Sequence, residues 1–111
     1  MSIRPIPKKL LIHSVEYREF IEDQRWGGSF ADPIPVTFVR VEPATSMNRD
    51  TSKEEVVARS VLYIDRTHSK PFVQPKEKDR IVFQGEEYEV HKVDVHYAFG
   101  SRIHHLEVEL V

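Results

Sequence analysis

The six histidines of this 111-residue chain are its clearest candidates for chemistry, because imidazole binds zinc and transfers protons near neutral pH. His104 and His105 are adjacent, so in a strand they should point to opposite faces and should not bind one ion together. His91 and His96 could converge with His13 or His104 across strands, but no pair has a recognised ligand spacing. The histidines are interpreted as polar residues on exposed strand faces, and no metal site is predicted.

Other catalytic patterns are equally weak. The carboxylates of "GEEYE" and "EVE" occupy strand positions that are typical of a solvated face rather than of a glycosidase pair. No serine lies in a nucleophile-elbow sequence, and Gly27-Gly28 is too short for a loop that cradles phosphate. The chain has no cysteine, hence no thiol nucleophile or thiolate metal site. We expect no enzymatic activity and no cofactor.

Composition limits the possible partners. The sequence has 16 basic and 18 acidic side chains and a net charge of −2, so it has no overall positive field to attract phosphates. Around Arg80 the basic residues Lys76 and Lys78 alternate with Glu77 and Asp79. Sequence-specific nucleic-acid binding is therefore not expected. The absence of a long apolar run and of a signal-peptide core predicts a soluble, non-secreted protein without membrane contact.

The elements that must position these residues are mainly strands. Apolar alternation predicts a strand within 10–20, with a helix as the alternative, and further strands in 34–42 and 102–111. β-branched residues favour a strand over 56–64, although Ser52 and Glu55 could form a capping box that opens a helix there. The chain is thus expected to be all-β, a single domain spanning 1–111 with about six antiparallel strands, in a small barrel or a sandwich.

The stretch "KDRIVFQGEEYEVHKVD" predicts a hairpin with a turn at Gln84-Gly85. Its second arm breaks the alternation, because Val90 and Val93 are separated by an odd step of three. One extra residue at His91-Lys92, a β-bulge, would return Val93 and Val95 to the core and bend the sheet toward closure. The alternative is a sandwich strand with both faces partly buried.

Two segments lie outside this pattern. Prolines 5 and 7 predict an extended N-terminal arm over 1–9, because proline removes a backbone donor and fixes φ. The segment 43–55, "PATSMNRDTSKEE", is polar and longer than the usual connection of about 4–6 residues. Loops of this length are usually either functional or disordered.

The hairpin, followed by "YAFGSRIHHLEVELV", resembles the ending of small head–tail joining proteins of tailed bacteriophages. Together with "IPKKLLIHSVEY", "VRVEPATS" and "EEVVARSVLYIDRTHSKPF", it is similar to the minor capsid proteins encoded by phages and prophages of Gram-positive bacteria. The likeness extends from Pro5 to the end of the chain. Its motifs are individually common, and their order and the chain length carry the match.

This resemblance implies a small β-barrel with a long loop that acts in head completion. Such a protein forms a homo-oligomeric ring as a stopper below the portal and adaptor, and it retains packaged DNA until the tail proteins join. The resemblance places it in the virion at the head–tail interface, assembled in the host bacterial cytoplasm, with DNA only passing through the channel. By analogy the ring and channel contacts fall at the loop tip, on Ser46, Met47, Asn48, Arg49 and Asp50. The arm 1–9 is a second candidate contact, and the alternative function is a small barrel that binds a ligand or nucleic acid.

Overall fold

The computed structural model describes residues 3–23, 25, 27–44 and 58–111. These residues form eight strands: β1 His13–Arg18, β2 Phe20–Ile21, β3 Ser29–Phe30, β4 Ile34–Pro43, β5 Ser60–Asp65, β6 Arg80–Phe83, β7 Glu86–Tyr97 and β8 Ile103–Leu110. Within the described ranges the one helical element is the 3-10 helix Lys8–Leu10, and no helix there is long and apolar enough to cross a membrane. The prediction of an all-β chain is confirmed.

Six of the strands close into a barrel in the order β1-β4-β5-β8-β7-β6, with β6 returning to β1. All six pairings are antiparallel. β2 and β3 form a separate two-stranded sheet beside the barrel. The barrel, rather than the sandwich, is therefore the architecture. The choice within 10–20 is decided in favour of a strand, His13–Arg18. Of the segment 56–64, the part from Ser60 onward belongs to the strand Ser60–Asp65, while residues 56 and 57 and the possible capping box of Ser52 and Glu55 lie outside the described residues.

Alternation along the strands fills the barrel interior. Leu106, Val108 and Leu110 of β8 are at most 1% exposed, and they meet Leu62 and Ile64 of the neighbouring β5. Burying one such side chain stabilises the fold by about 1.5–3 kcal/mol relative to leaving it in water. The residues between them in β8 face outward, as the sequence predicts.

The hairpin of β6 and β7 is confirmed together with its bulge. Gln84 and Gly85 have φ values of 51° and 82°. Positive φ at both central residues is what a two-residue type I′ hairpin turn requires. The register passes from Val90 opposite Leu110 to Lys92 opposite Glu109, so His91 is the extra residue. Val93 then packs against the core. Val95 returns to the core side, opposite the buried Leu106, but remains 37% exposed.

Two further bulges were not predicted. In β4, Thr37 and Phe38 stand opposite the single Ser14 of β1, and Phe38 takes φ 56°. In β8, the register passes from His96 opposite His105 to Tyr97 opposite Ile103, which leaves His104 as the extra residue. Bulges bend strands and change the direction of side chains, so three of them help six short strands close a barrel.

A buried carboxylate fastens the end of β1 to the segment that leads into β6. Asp79 is fully buried and accepts hydrogen bonds from the Tyr17 hydroxyl at 2.6 Å, the Phe20 N–H at 2.8 Å and the Lys76 N–H at 2.9 Å. Burial opposes ionisation of this carboxyl, but these hydrogen bonds, with one from Lys76 Nζ, outweigh it and hold the pKa of Asp79 below its ordinary value. Burial and the adjacent Asp79 raise the pKa of Tyr17.

Candidate assembly surfaces and a histidine cluster

The long polar connection leaves the barrel from a closed base. Residues 45–57, which include the predicted contacts Ser46, Met47, Asn48, Arg49 and Asp50, lie outside the described residues. At the base, Pro43 pairs with Ser60, and the Ala44 N–H donates to the Arg59 carbonyl oxygen at 3.0 Å. The Arg59 guanidinium lies 4.3 Å from the centre of the Tyr88 ring. The connection is therefore joined to the barrel by a paired stem.

The N-terminal arm lies against the barrel. The Ile6 N–H donates to the buried Asp65 carboxylate at 3.0 Å, and the Ile6 carbonyl oxygen is 3.0 Å from His68 Nδ1. Farther toward the N-terminus, the Arg4 carbonyl oxygen accepts from His104 Nε2. The backbone of the arm is thus held by this chain's own residues, and Lys8 and Lys9 belong to a 3-10 turn rather than to extended chain.

Most of the large exposed apolar side chains of the described residues lie in two surfaces, and Ile3 and Ile21 are exposed outside them. The β4 surface consists of three residues on β4 and the segment before β1, namely Leu10, Ile12 and Phe38. Ile34 is also exposed but lies at the other end of β4, opposite Tyr17. The β7 surface consists of two residues at the end of β7 and the turn after it, namely Tyr97 and Phe99. The most exposed members are Ile12 at 66% and Tyr97 at 56%. Clusters of large exposed apolar side chains usually mark interaction sites.

The two strands that carry or adjoin these surfaces, β4 and β7, lie on opposite sides of the barrel. In the order β1-β4-β5-β8-β7-β6, β4 and β7 are three strands apart in either direction. A molecule with different apolar surfaces on opposite sides can contact its neighbour head to tail, and repeated contacts of this type generate rings or filaments.

Phe38 stands out within the β4 surface. It is a bulky residue at φ 56°, a backbone region that such residues rarely adopt and that costs about 1–3 kcal/mol. Its carbonyl oxygen accepts from the buried Ser69 hydroxyl at 2.6 Å, and Lys8 Nζ lies 4.3 Å from the centre of its ring. The Ser69 bond holds the strained backbone, while the ring is presented to solvent and 38% exposed.

The histidines do not all fit the interpretation drawn from the sequence. His13 accepts the Val41 N–H at Nδ1 and packs edge-on against Phe83, so it is structural. The stacked rings of His96 and His105 have centres 4.5 Å apart, and both residues reach Glu107. The sequence suggested that His96 could converge with His13 or His104. In the structure its partner is His105.

The prediction that His104 and His105 point to opposite faces is wrong. His104 Nδ1 lies 2.8 Å from His105 Nδ1. The bulge at His104 breaks the alternation at this point, so the two rings meet instead of pointing apart. His96, His105 and Glu107 are the residues of the described chain that could hold a metal ion.

Polar groups inside the described part of the protein are satisfied. Across residues 3–23, 25, 27–44 and 58–111, every buried side-chain nitrogen and oxygen has a hydrogen-bond partner. Several basic side chains lie over aromatic rings, among them Arg80 on Phe30 at 4.0 Å and Arg66 on Phe72 at 4.9 Å. This arrangement is typical of a packed structural domain.

Comparison with known proteins agrees with this architecture. A family model described as minor capsid protein matches residues 7–110 of the 111. The match covers nearly the whole chain, so the protein belongs to the minor capsid protein family, and it is a structural capsid component of phage origin. Neither the curated proteins nor the solved structures contain a significant match.

Proposed function

We propose that this minor capsid protein acts in head completion, as a ring-forming stopper below the portal and adaptor that retains packaged DNA until the tail joins. The observation that carries the proposal is that large apolar side chains are exposed at β4 and at β7, two strands on opposite sides of a closed barrel. Membership of the minor capsid protein family supports the setting, a site in the phage particle where several proteins assemble.

Ring formation follows from the placement of the two surfaces. The β4 surface of one copy would pack against the β7 surface of the next. Such a heterologous contact produces a closed ring when the rotation from one subunit to the next is a whole fraction of a full turn. Tyr97, Phe99 and Phe38 are the anchors we expect, since exposed aromatic residues dominate interface energetics.

The segment from Ser46 to Asp50 is proposed as the part that reaches the channel or the neighbouring ring. The paired stem of Ala44 and Arg59 supports this, because β4 and β5 are already joined there and the barrel does not need the segment to close. A net charge of −2 suits the wall of a DNA conduit, since a strongly basic lumen would bind the DNA rather than let it slide. The proposed role requires no enzymatic activity and no cofactor.

A phage that lacks this gene tests the proposal. We expect heads that package DNA but lose it, together with free tails, in lysates examined by electron microscopy and by nuclease sensitivity of the packaged DNA. Supply of the protein from a plasmid should restore tailed particles. Tailed, DNA-filled particles in the absence of the protein would contradict the head-completion role and would favour a role elsewhere in the capsid.

A further inference from the structure

We propose that His96, His105 and Glu107 form a binding site for a zinc-class divalent cation on the outer face of the barrel. His105 and Glu107 alternate with the buried Leu106 on β8, and His96 lies directly across from His105 on β7. One ligand atom of each residue lies within 4.8 Å of the other two. Two imidazoles and one carboxylate are a ligand set that zinc uses in sites with an open fourth position.

The distances fit a small tetrahedral ion. His105 Nε2 and His96 Nε2 lie 3.0 and 3.2 Å from the same oxygen, Glu107 Oε2. Ligand atoms around tetrahedral zinc, with metal–nitrogen distances near 2.0–2.1 Å, are separated by roughly 3.3 Å. The rings of His96 and His105 are stacked parallel, so binding of one ion to both requires the His96 ring, whose side chain is 46% exposed, to rotate out of the stack.

His105 is held through both of its ring nitrogens. The Arg4 carbonyl oxygen, His104, His105 and the Glu107 carboxylate are joined in series by three contacts.

Two further features favour a bound metal ion. His96 directs a second nitrogen to the same carboxylate oxygen, and one divalent ion can accept both imidazoles and the carboxylate at once. Glu107 also stands directly opposite Asp94 across the β7–β8 pair, and like charges in that position repel, although Lys92 Nζ at 3.6 Å from Asp94 Oδ1 offsets part of this repulsion. A divalent cation would reduce that repulsion.

The support behind His105 resembles that of known metal sites. Histidines that bind metals usually donate their other ring N–H to a carbonyl, a carboxylate or another acceptor, which fixes the ring. Here His105 Nδ1 contacts His104, and His104 contacts the backbone of the arm. A bound cation would therefore also brace the N-terminal arm, whose Ile6 N–H is bonded to Asp65.

Titration of the tag-free protein with Co²⁺ tests the site, because the visible absorption of Co²⁺ reports its ligands. We expect one equivalent to bind, to be displaced by Zn²⁺ and not to be displaced by Mg²⁺, which prefers oxygen ligands. His96→Ala and Glu107→Gln should each weaken binding by about tenfold or more. The matched control is His91→Ala, an exposed histidine on the same strand, which should keep the wild-type affinity.

Thermal unfolding gives a second readout that does not depend on capsid assembly. Zn²⁺ should raise the melting temperature of the wild-type protein and of His91→Ala, but not that of His96→Ala, because a ligand stabilises only a fold that binds it. Circular dichroism checks that each variant is folded. The site is refuted if Co²⁺ gives no absorption band, if His96→Ala binds as tightly as the wild type, or if His91→Ala loses affinity to the same extent.

Discussion

At the scale of single residues, the barrel depends on a few buried polar groups as well as on its apolar interior. Asp79 is the clearest case, because its carboxylate is fully buried and joins Tyr17 of β1, the start of β2 and the connection before β6. Two stretches that are far apart in sequence, 17–20 and 76–79, meet at one charge. Nothing in the alternating pattern around "KEKDRIVF" distinguishes this aspartate from its exposed neighbours, and only the closed barrel shows its role.

Replacement of Asp79 should destabilise the protein strongly. In Asp79→Asn the amide N–H₂ would face donors where the carboxylate accepted, and we expect a loss of about 2–4 kcal/mol in the free energy of unfolding. Tyr17→Phe removes one of these hydrogen bonds and should cost only about 1–1.5 kcal/mol. Urea unfolding near neutral pH measures both, and an unchanged midpoint in Asp79→Asn would contradict this interpretation of the buried carboxylate.

The pH dependence of the same variant has a definite sign. The pKa of Asp79 is lower in the folded protein than in the unfolded chain, where it is about 4. The contribution of Asp79 to stability is therefore complete above about pH 4 and is lost as the pH falls through the lower pKa of the folded protein. The stability difference between wild type and Asp79→Asn should therefore shrink as the pH is lowered below about 4. A difference that grows on acidification would show that another group dominates.

At the scale of elements, one sequence feature accounts for all three bulges. Each bulge lies between inward-facing apolar residues that are separated by an odd step of three, first Val36 and Val39, then Val90 and Val93, then Ile103 and Leu106. The step from Val90 to Val93 predicts its bulge, and the bulge is present. The other two steps give no such prediction, because the segments around them look like regular strands in the sequence.

The histidine cluster could not be derived for the same reason. Placing His96 opposite His105 requires the pairing register of β7 and β8, and that register depends on the bulge at His104. The resemblance to phage proteins predicted the barrel and the family, but it carried no information about these side chains. What the sequence pattern does predict well is the existence and the type of the longer strands.

Deletion of His91 tests whether the bulge holds the register. Without the extra residue, either Val93 and Val95 or Tyr88 and Val90 must turn outward, because side chains in a strand alternate between faces. We expect a loss of more than about 3 kcal/mol, or failure to fold, since several core side chains would be displaced. His91→Ala keeps the residue count and should stay within about 0.5 kcal/mol of wild type. Equal stability of the deletion and the wild type, measured by chemical unfolding, would show that the register is set elsewhere.

Shortening the long connection should separate folding from function. Deletion of residues 48–52 leaves the stem of Ala44 and Arg59 intact, so the melting temperature should change little, since loop length has a weak effect on closure entropy. The same deletion should prevent complementation of a phage that lacks the gene. The control deletes only residues 52 and 53, outside the proposed contacts from Ser46 to Asp50. A fold that collapses on the larger deletion would show that the segment is part of the core.

At the scale of the whole molecule, the arrangement of the two apolar surfaces makes a prediction about assembly geometry. A head-to-tail contact joins unlike surfaces, so every copy uses its β4 surface toward one neighbour and its β7 surface toward the other. Ile12 and Tyr97 are the most exposed members of these surfaces. Charged replacements there should block association without disturbing the barrel, because neither side chain belongs to the buried core.

Mixing two such variants distinguishes a head-to-tail ring from a symmetric dimer. Ile12→Asp and Tyr97→Asp each lose one surface, so each alone should be monomeric at concentrations where the wild type forms larger oligomers, as measured by analytical ultracentrifugation. In the mixture, the intact β7 surface of Ile12→Asp can meet the intact β4 surface of Tyr97→Asp, so a one-to-one dimer should form and grow no further. Arg25→Asp, at an exposed turn position outside both surfaces, serves as the charge control and should assemble like the wild type. If the mixed variants stay monomeric, or if either alone forms dimers, the two surfaces do not contact each other and the ring must be built differently.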